Sequence, residues 1–256
     1  MTDRSAAQFN AHADRYATSE VHRAGPSLPV LLRLAAPTRQ DHALDVATGT
    51  GNTALALAPF VQDVTGVDVA QAMLTHARDR AAREGLGNAT FRSGDAEVLP
   101  FPDGTFTLVT SRHAPHHFAR LDRFLAEAWR VLRPGGRLVI ADQISPTPEL
   151  QGWTDTYQRL RDPSHHAQRP IQDWQALSAA AGFTWTTHEV VPYRLPFGWW
   201  TAQSGCTPTT VTALRAHAAT LSRAQAQEAG LILDGNGQLT AHHEPMLVVR
   251  LDRTGR

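Results

Sequence analysis

The sequence is short of three features, each of which would indicate a particular class of protein. It has one cysteine, Cys206, in 256 residues, which excludes an intrachain disulfide and a cysteine-based metal site. It has no charge excess, because 24 basic residues balance 24 acidic ones, and proteins that bind bulk nucleic acid usually carry a basic excess. It has no apolar run near the roughly 18 residues that span a bilayer, and its polar first 16 residues do not resemble a secretion signal.

From these features we expect a cytoplasmic protein with no nucleic-acid partner and no membrane span, acting as a monomer or a homodimer. Histidine is frequent, with 13 residues, and forms the doublets His116-His117, His165-His166 and His242-His243. Neighbouring side chains point apart on a strand and about 100° apart on a helix, so a doublet is a poor chelate. We expect no metal site.

The chain is organised around a stretch that reads as strand, loop and helix over residues 43–58. The strand is apolar apart from Asp45, as expected when both of its faces are buried. Gly49 and Gly51 follow, and then an alanine- and leucine-rich segment. Glycines let a ligand approach the backbone, and the start of a helix presents unpaired N–H groups to it. This stretch predicts a nucleotide-type cradle.

Strand and helix patterns alternate from residue 42 to 142, which favours an α/β fold with a doubly wound, mostly parallel sheet. The second strand ends in Asp68, 17 residues after Gly51, where a ribose-binding acid belongs. We expect a single domain over 1–256, with an N-terminal helical lid over 1–36 and a cofactor-binding core over 37–145. Insertions at 146–170 and 198–240 are expected to cover the substrate.

Four motifs in this order resemble the class I S-adenosylmethionine (SAM) dependent methyltransferases, in particular the broad group that contains the ubiquinone/menaquinone C-methyltransferases. They are Leu44-Asp45-Val46-Ala47-Thr48-Gly49-Thr50-Gly51, Gly66-Val67-Asp68, Gly94-Asp95-Ala96 with Leu99-Pro100-Phe101-Pro102-Asp103, and Val131-Leu132-Arg133-Pro134-Gly135-Gly136. The resemblance covers about residues 40 to 142 and implies a seven-stranded Rossmann-like sheet with a helical cover. It departs at Ala47, where the family usually has its first glycine, and at Thr107, where the fourth strand usually reads Phe-Asp.

The resemblance implies a cofactor site for SAM, with S-adenosylhomocysteine as product. The glycines would approach the methionine portion, Asp68 would accept from the ribose hydroxyls, and Asp95 would accept from the adenine amino group. Met73 would pack on the adenine, Asp45 would help orient the ammonium, and Arg112 could orient the carboxylate of SAM or an anionic acceptor. The full expected set is Tyr16, Asp45, Ala47, Gly49, Thr50, Gly51, Asp68, Val69, Met73, Asp95, Ala96 and Arg112.

Methyl transfer from a sulfonium needs a base only when the acceptor must first lose a proton. The candidates are His116 and His117, which follow the fourth strand at the edge where open parallel sheets bind ligands; both histidines could instead only shape the loop. Trp153, Tyr157, Trp199 and Trp200 are expected to form an aromatic cover over a small, partly apolar methyl acceptor, although core packing would explain them equally well.

Two alternatives stay open. Gly49-Thr50-Gly51-Asn52-Thr53-Ala54 also satisfies the fingerprint of an NAD(P)-dependent oxidoreductase, although Gly94-Asp95-Ala96 and the Pro-Gly-Gly turn are not features that a dinucleotide site requires. A non-catalytic SAM-binding protein would have the same cofactor residues.

Overall fold

The computed structural model describes residues 9–10 and 25–255, so Tyr16 and most of the expected lid lie outside the described residues. In the first half of the chain the elements are α1 (Ser27–Ala35), β1 (His42–Val46), α2 (Asn52–Leu57), β2 (Asp63–Asp68), α3 (Gln71–Arg83), β3 (Ala89–Ser93), β4 (Phe106–Arg112), α4 (Leu121–Val131) and β5 (Leu132–Gln143). In the second half they are α5 (Gln151–Arg161), α6 (Ile171–Ala180), β6 (Thr184–Pro196), α7 (Phe197–Gln203), α8 (Pro208–Ala218), α9 (Arg223–Glu228), β7 (Leu231–Leu233) and β8 (Leu239–Asp252). Single 3₁₀ turns occupy Ala58–Phe60 and Pro115–His117.

The described strands form one sheet in the order β3-β2-β1-β4-β5-β8-β6. The first five strands of this order are parallel, and β8 runs antiparallel to both β5 and β6. The prediction of a doubly wound, mostly parallel sheet is confirmed. The seven expected strands are accompanied by an eighth, the three-residue β7, which pairs with the start of β8.

Alternate residues of the central strands face two separate hydrophobic layers, as expected when side chains point to opposite faces of a sheet. Leu108 and Val139 pack in the layer that also contains residues of α1, α2 and α3. Val109 and Ile140 pack in the layer that contains residues of α4 and α6. Helices therefore cover both faces, and the carboxyl ends of the parallel strands are left for a site.

The antiparallel part of the sheet reaches beyond β5. Residues 246–252 of β8 pair with β5, whereas β6 follows β8 along nearly its whole length. A third hydrophobic cluster covers this projecting part and joins β6 and β8 to α5, α7 and α8. We call the projecting part with its helices the antiparallel arm. Within the part of the chain that the structure describes, no helix is long and apolar enough to cross a membrane.

Candidate active site

A cavity lies at the carboxyl ends of β1, β2, β4 and β5 and continues under the antiparallel arm. Its empty space, counted out to its open mouth, is about 1110 Å³. One side of it is formed by the loop after β1 and by β2, and the other by α7 and the paired strands β6 and β8. The cavity is therefore lined both by the parallel core and by the antiparallel arm.

The loop between β1 and α2 turns through three left-handed residues, Ala47 (φ 55°), Gly49 (φ 54°) and Gly51 (φ 82°). A Cβ atom on Gly49 would meet nothing within 4 Å, so the backbone there is open to a ligand. Gly51 differs from expectation, because a Cβ atom there would lie 3.2 Å from the Phe91 ring and Gly51 does not line the cavity. Glycine is favoured at 51 both by its left-handed backbone and by packing under the loop.

Asp45 holds this loop from below. Its carboxylate accepts hydrogen bonds from the hydroxyl of Thr48 (2.6 Å) and from the hydroxyl of Thr110 (2.8 Å) on the neighbouring strand β4. Burial raises the pKa of Asp45 to about 6, although both hydroxyls and the charge of Arg112 favour the ionised form. Asp45 also lines the cavity, so it combines a structural role with a position beside any bound molecule.

Asp68, the last residue of β2, closes the same loop from the side. Its two carboxylate oxygens accept hydrogen bonds from the backbone N–H groups of Gly49 and Ala70, both at 2.8 Å. Burial raises the pKa of Asp68, and these backbone bonds oppose that shift. Each oxygen keeps a second lone pair, and Asp68 lines the cavity beside Met73. This carboxylate can accept further hydrogen bonds from a ligand.

Asp95, Ala96 and Val69 are not among the described residues that line the cavity. A carboxylate oxygen of Asp95 accepts a hydrogen bond from the backbone N–H of Glu97 (2.9 Å), and the Ala96 side chain packs in the hydrophobic layer with α4. The turn of Asp95 and Ala96 nevertheless lies close to Asp68, because the backbone N–H of Gly94 donates to the Asp68 carbonyl (3.1 Å).

Arg112, the last residue of β4, is a buried cation on the floor of the cavity. Its guanidinium donates to the hydroxyls of Thr53 and Ser27, both at 3.3 Å. The hydroxyl of Tyr193 donates to the same Ser27 oxygen (2.7 Å), so β4, α1 and β6 meet there. Burial lowers the pKa of Arg112, and the neighbouring Asp45 carboxylate opposes that shift.

The far side of the cavity combines aromatic side chains with a few buried polar ones. Its lining residues are His113, His116, His117, Gln143, Arg161, Asp162, Tyr193, Leu195, Trp199, Trp200 and Glu244. Trp153 and Tyr157 differ from expectation, since they do not line the cavity. Tyr157 instead stacks behind Trp200 at 5.0 Å between ring centroids, and Trp153 stacks behind Tyr157 at 5.1 Å. They support the wall of the cavity.

Glu244 brings a buried carboxyl to this side from the middle of β8. It accepts a hydrogen bond from the side-chain amide of Gln158 on α5, and the amide of Gln143 lies 3.1 Å from its oxygens. Burial raises the pKa of Glu244 to about 7, and Arg161 opposes that shift. Sequence reasoning missed Glu244, and the signal that could have found it is a carboxyl group two residues before the apolar run Met246-Leu247-Val248-Val249.

His116 and His117 lie together, with their ring centroids 4.0 Å apart. Nδ1 of His116 lies 2.7 Å from a carboxylate oxygen of Asp142, and Nδ1 of His117 lies 3.0 Å from the carbonyl oxygen of Ser164. Burial lowers the pKa of His117 to about 3 and that of His116 well below its usual value, so both rings are neutral at pH 7. Among the described residues, no group of three or more histidine, cysteine or acidic side chains is arranged to hold a metal ion.

Comparison with known proteins gives a consistent assignment. A family model described as a methyltransferase domain matches residues 44–140. An uncharacterized methyltransferase of Bacillus subtilis, YcgJ, is 36% identical over 173 residues, which are 67% of this chain and 68% of that protein. The chain belongs to the class I SAM-dependent methyltransferases. The crystal structure of YcgJ superposes with a TM-score of 0.86 at 29% identity, covering 90% of this chain and 99% of that one.

Quinone-modifying relatives match a shorter part of this methyltransferase. The demethylmenaquinone methyltransferase of Deinococcus radiodurans is 45% identical over 112 residues, which are 43% of this chain and 46% of that protein. The resemblance drawn from the four motifs is thus confirmed at the level of the family, which uses SAM, and the acceptor is a separate question.

Proposed function

We propose that this methyltransferase transfers the methyl group of SAM to a small, partly apolar acceptor bound beneath the antiparallel arm. The observation that supports the proposal is the single continuous cavity, which joins the loop after β1 to the aromatic and polar wall of α7, β6 and β8. His116 and His117 line the same cavity.

The cofactor end suits SAM in shape and in chemistry. The open space above Gly49 would admit the methionine portion close to the backbone of Ala47 and Thr50. The free lone pairs of Asp68 would accept from the two ribose hydroxyls. Met73, buried at the side of the cavity, would pack against the adenine. When bound, SAM supplies the reactive methyl group on its sulfonium sulfur.

The charged tail of SAM would lie over the floor of the cavity. Its carboxylate suits the buried guanidinium of Arg112, and its ammonium suits the carboxylate of Asp45. An adenine that extends from the ribose past Met73 would reach the turn of Asp95 and Ala96. In this arrangement Val69 and Gly51 shape the backbone around the cofactor without touching it.

At the acceptor end Trp199, Trp200 and Leu195 offer apolar surface, while Gln143 and Glu244 offer hydrogen bonds. Of the expected insertions, 146–170 would contribute Arg161 and Asp162 and 198–240 would contribute Trp199 and Trp200. These residues would orient the acceptor and exclude water, which supplies most of the rate enhancement in an in-line displacement. His116 and His117 are the side chains available to take a proton from the acceptor.

Calorimetric titration with S-adenosylhomocysteine tests the cofactor assignment. Asp68→Ala is expected to weaken binding by more than tenfold, because a hydrogen bond to a charged acceptor contributes roughly 1.5–3 kcal/mol. Asp63→Ala, at the opposite end of β2, is the matched control and should bind as the wild type does. Unchanged affinity in Asp68→Ala would refute the ribose assignment, and a wild-type protein that does not bind the product would refute the proposed function.

A further inference from the structure

Two buried pairs of histidine and aspartate lie close together behind the cavity. In one, Nδ1 of His116 lies 2.7 Å from a carboxylate oxygen of Asp142, the penultimate residue of β5. In the other, Nε2 of His165 lies 2.9 Å from a carboxylate oxygen of Asp155 on α5. Only the first pair contributes a residue to the cavity lining, since neither His165 nor Asp155 is among the described lining residues.

The position of His116 is fixed on two sides. Its carbonyl oxygen accepts hydrogen bonds from the backbone N–H groups of His166 (2.9 Å) and Ala167 (3.1 Å), which tie the 3₁₀ turn to the segment after α5. Its ring is held by Asp142 through Nδ1. An ionised carboxylate accepts a hydrogen bond and does not donate one, so above about pH 7, where Asp142 is ionised, this bond selects the form of the ring with hydrogen on Nδ1. Nε2 then carries the lone pair and is the ring nitrogen that Asp142 leaves available on this cavity-lining residue.

Asp142 is suited to stabilise a positive charge on His116. It is 1% exposed, and its second carboxylate oxygen has no hydrogen-bond partner among the residues that the structure describes. Burial raises the pKa of Asp142 to about 7, because the lone carboxylate is poorly compensated. A proton that arrives at His116 relieves this uncompensated charge, so the pair takes up a proton as a unit.

His117 is a weaker candidate for the same role. Its Nδ1 faces the neutral carbonyl oxygen of Ser164 at 3.0 Å rather than a carboxylate. A neutral carbonyl orients the ring without supplying a countercharge, and the Asp162 carboxylate is linked to His117 through the Ser164 hydroxyl, which lies 3.1 Å from Nδ1 and donates to Asp162 (2.6 Å). The other charged or titratable groups around both rings are His165, Asp155, Arg161 and Asp162.

The geometry points to Asp142 as a positioning residue that holds His116 with Nε2 unprotonated toward the cavity, so that His116 is the proton acceptor of the reaction. This inference rests on the proposed function and narrows its substrate class to acceptors that carry a proton on the reacting atom, such as a hydroxyl group. The acceptor oxygen forms the new bond to the methyl carbon, and its proton moves to Nε2 of His116. The bonding pair of the O–H bond stays on oxygen, and the pair of the broken S–C bond stays on sulfur.

The form of the His116 ring can be read directly by long-range ¹H–¹⁵N correlation spectra of the ¹⁵N-labelled full chain at pH 8, with His116→Gln providing the assignment. In the wild type we expect hydrogen on Nδ1 and a lone pair on Nε2. In Asp142→Asn we expect the ring to move toward the form with hydrogen on Nε2, because the asparagine amide can donate to Nδ1. Asp155→Asn is the matched control, and it should alter the signals of His165 while leaving the form of His116 unchanged.

Hydrogen on Nε2 of His116 in the wild type at pH 8 would overturn the inference without the need for any variant. An Asp142→Asn protein that folds and keeps the wild-type form of His116 would overturn it as well. Calorimetry with S-adenosylhomocysteine separates this outcome from a failure of the proposed function. Asp142→Asn should bind the product with wild-type affinity. If the cofactor assignment is in error, the wild-type protein itself will fail to bind the product.

Discussion

Ala47 occupies a left-handed backbone position (φ 55°) in the loop that forms the cofactor end of the cavity. An L-residue other than glycine costs roughly 1–2 kcal/mol in this conformation, because its Cβ atom crowds the following carbonyl oxygen. The sequence indicates that alanine replaces a glycine here and that the space it needs is small. The structure shows that alanine is unfavourable at position 47 because of the left-handed backbone and not because its methyl group needs space.

Replacing Ala47 by glycine should therefore stabilise the protein. The relief of strain exceeds the extra entropy that glycine gives the unfolded chain, so Ala47→Gly is expected to raise the free energy of unfolding by about 0.5–1 kcal/mol. Urea denaturation provides the measurement. Ala43→Gly, in the regular strand β1, is the control and should lose stability; an equal loss in Ala47→Gly would contradict the strained position.

The other single residues differ in how far the sequence could place them. Asp45 and Asp68 were predictable because each is a carboxylate at the carboxyl end of an apolar strand, where local spacing fixes its position. The packing role of Gly51 was not predictable from the sequence, because it depends on Phe91, which lies on another strand. Glu244 was missed because its partners Gln143 and Gln158 lie on β5 and α5, far from it in the sequence.

At the scale of elements, the buried carboxyl of Glu244 couples the strand β8 to the helix α5 and makes their packing sensitive to pH. Its pKa is about 7 in the folded protein against 4.5 for an ordinary glutamate, so between these values the folded state binds more protons than the unfolded state. The contribution of Glu244 to stability is therefore fully present below about pH 4.5 and is lost as pH rises through about 7.

Glu244→Gln should remove this loss. Relative to the wild type, the variant is expected to gain stability on the order of 2 kcal/mol between pH 5 and pH 8, because a neutral amide needs no proton to be buried. Urea denaturation at the two pH values gives the difference. Glu149→Gln, at an exposed site, is the control and should change stability with pH as the wild type does. If Glu244→Gln shows the same pH dependence of stability as Glu149→Gln, the Glu244 carboxyl is not buried with a raised pKa.

The observed bounds of the helices and strands show which of them the local sequence pattern predicts and which it does not. The five parallel strands and α1 to α4 follow from hydrophobic patterns and glycine stops within the sequence. Strand β5 begins earlier than expected, at Leu132, because residues before and after the Pro-Gly-Gly segment both pair with β4 across an irregularity. The early part of β8 and the short β7 were not expected. They depend on pairing with a neighbouring strand, and such pairing gives little signal in the sequence of either strand alone.

At the scale of the whole molecule, two parts of the chain contribute the two ends of one cavity. In the proposed function, the parallel core would supply the cofactor end through short loops whose residues are close in sequence, which is why four local motifs point to it. The antiparallel arm would supply the acceptor end through contacts such as the one between Gln158 and Glu244, which are 86 residues apart. Contacts over such separations are set by tertiary packing, so the sequence predicted a cover in this region and its lining residues Trp199 and Trp200, but not Gln143, Leu195 or Glu244.

The central claim is that one cavity holds SAM at the loop after β1 and leaves the side under the antiparallel arm for the acceptor. A crystal structure of the protein with S-adenosylhomocysteine tests it most directly. We expect both ribose hydroxyls within hydrogen-bond distance of the Asp68 carboxylate, the amino acid tail between Gly49 and Arg112, and the sulfur atom facing His116 across the cavity. A nucleoside bound away from Asp68, or one lying against Trp199 and Trp200, would contradict the account.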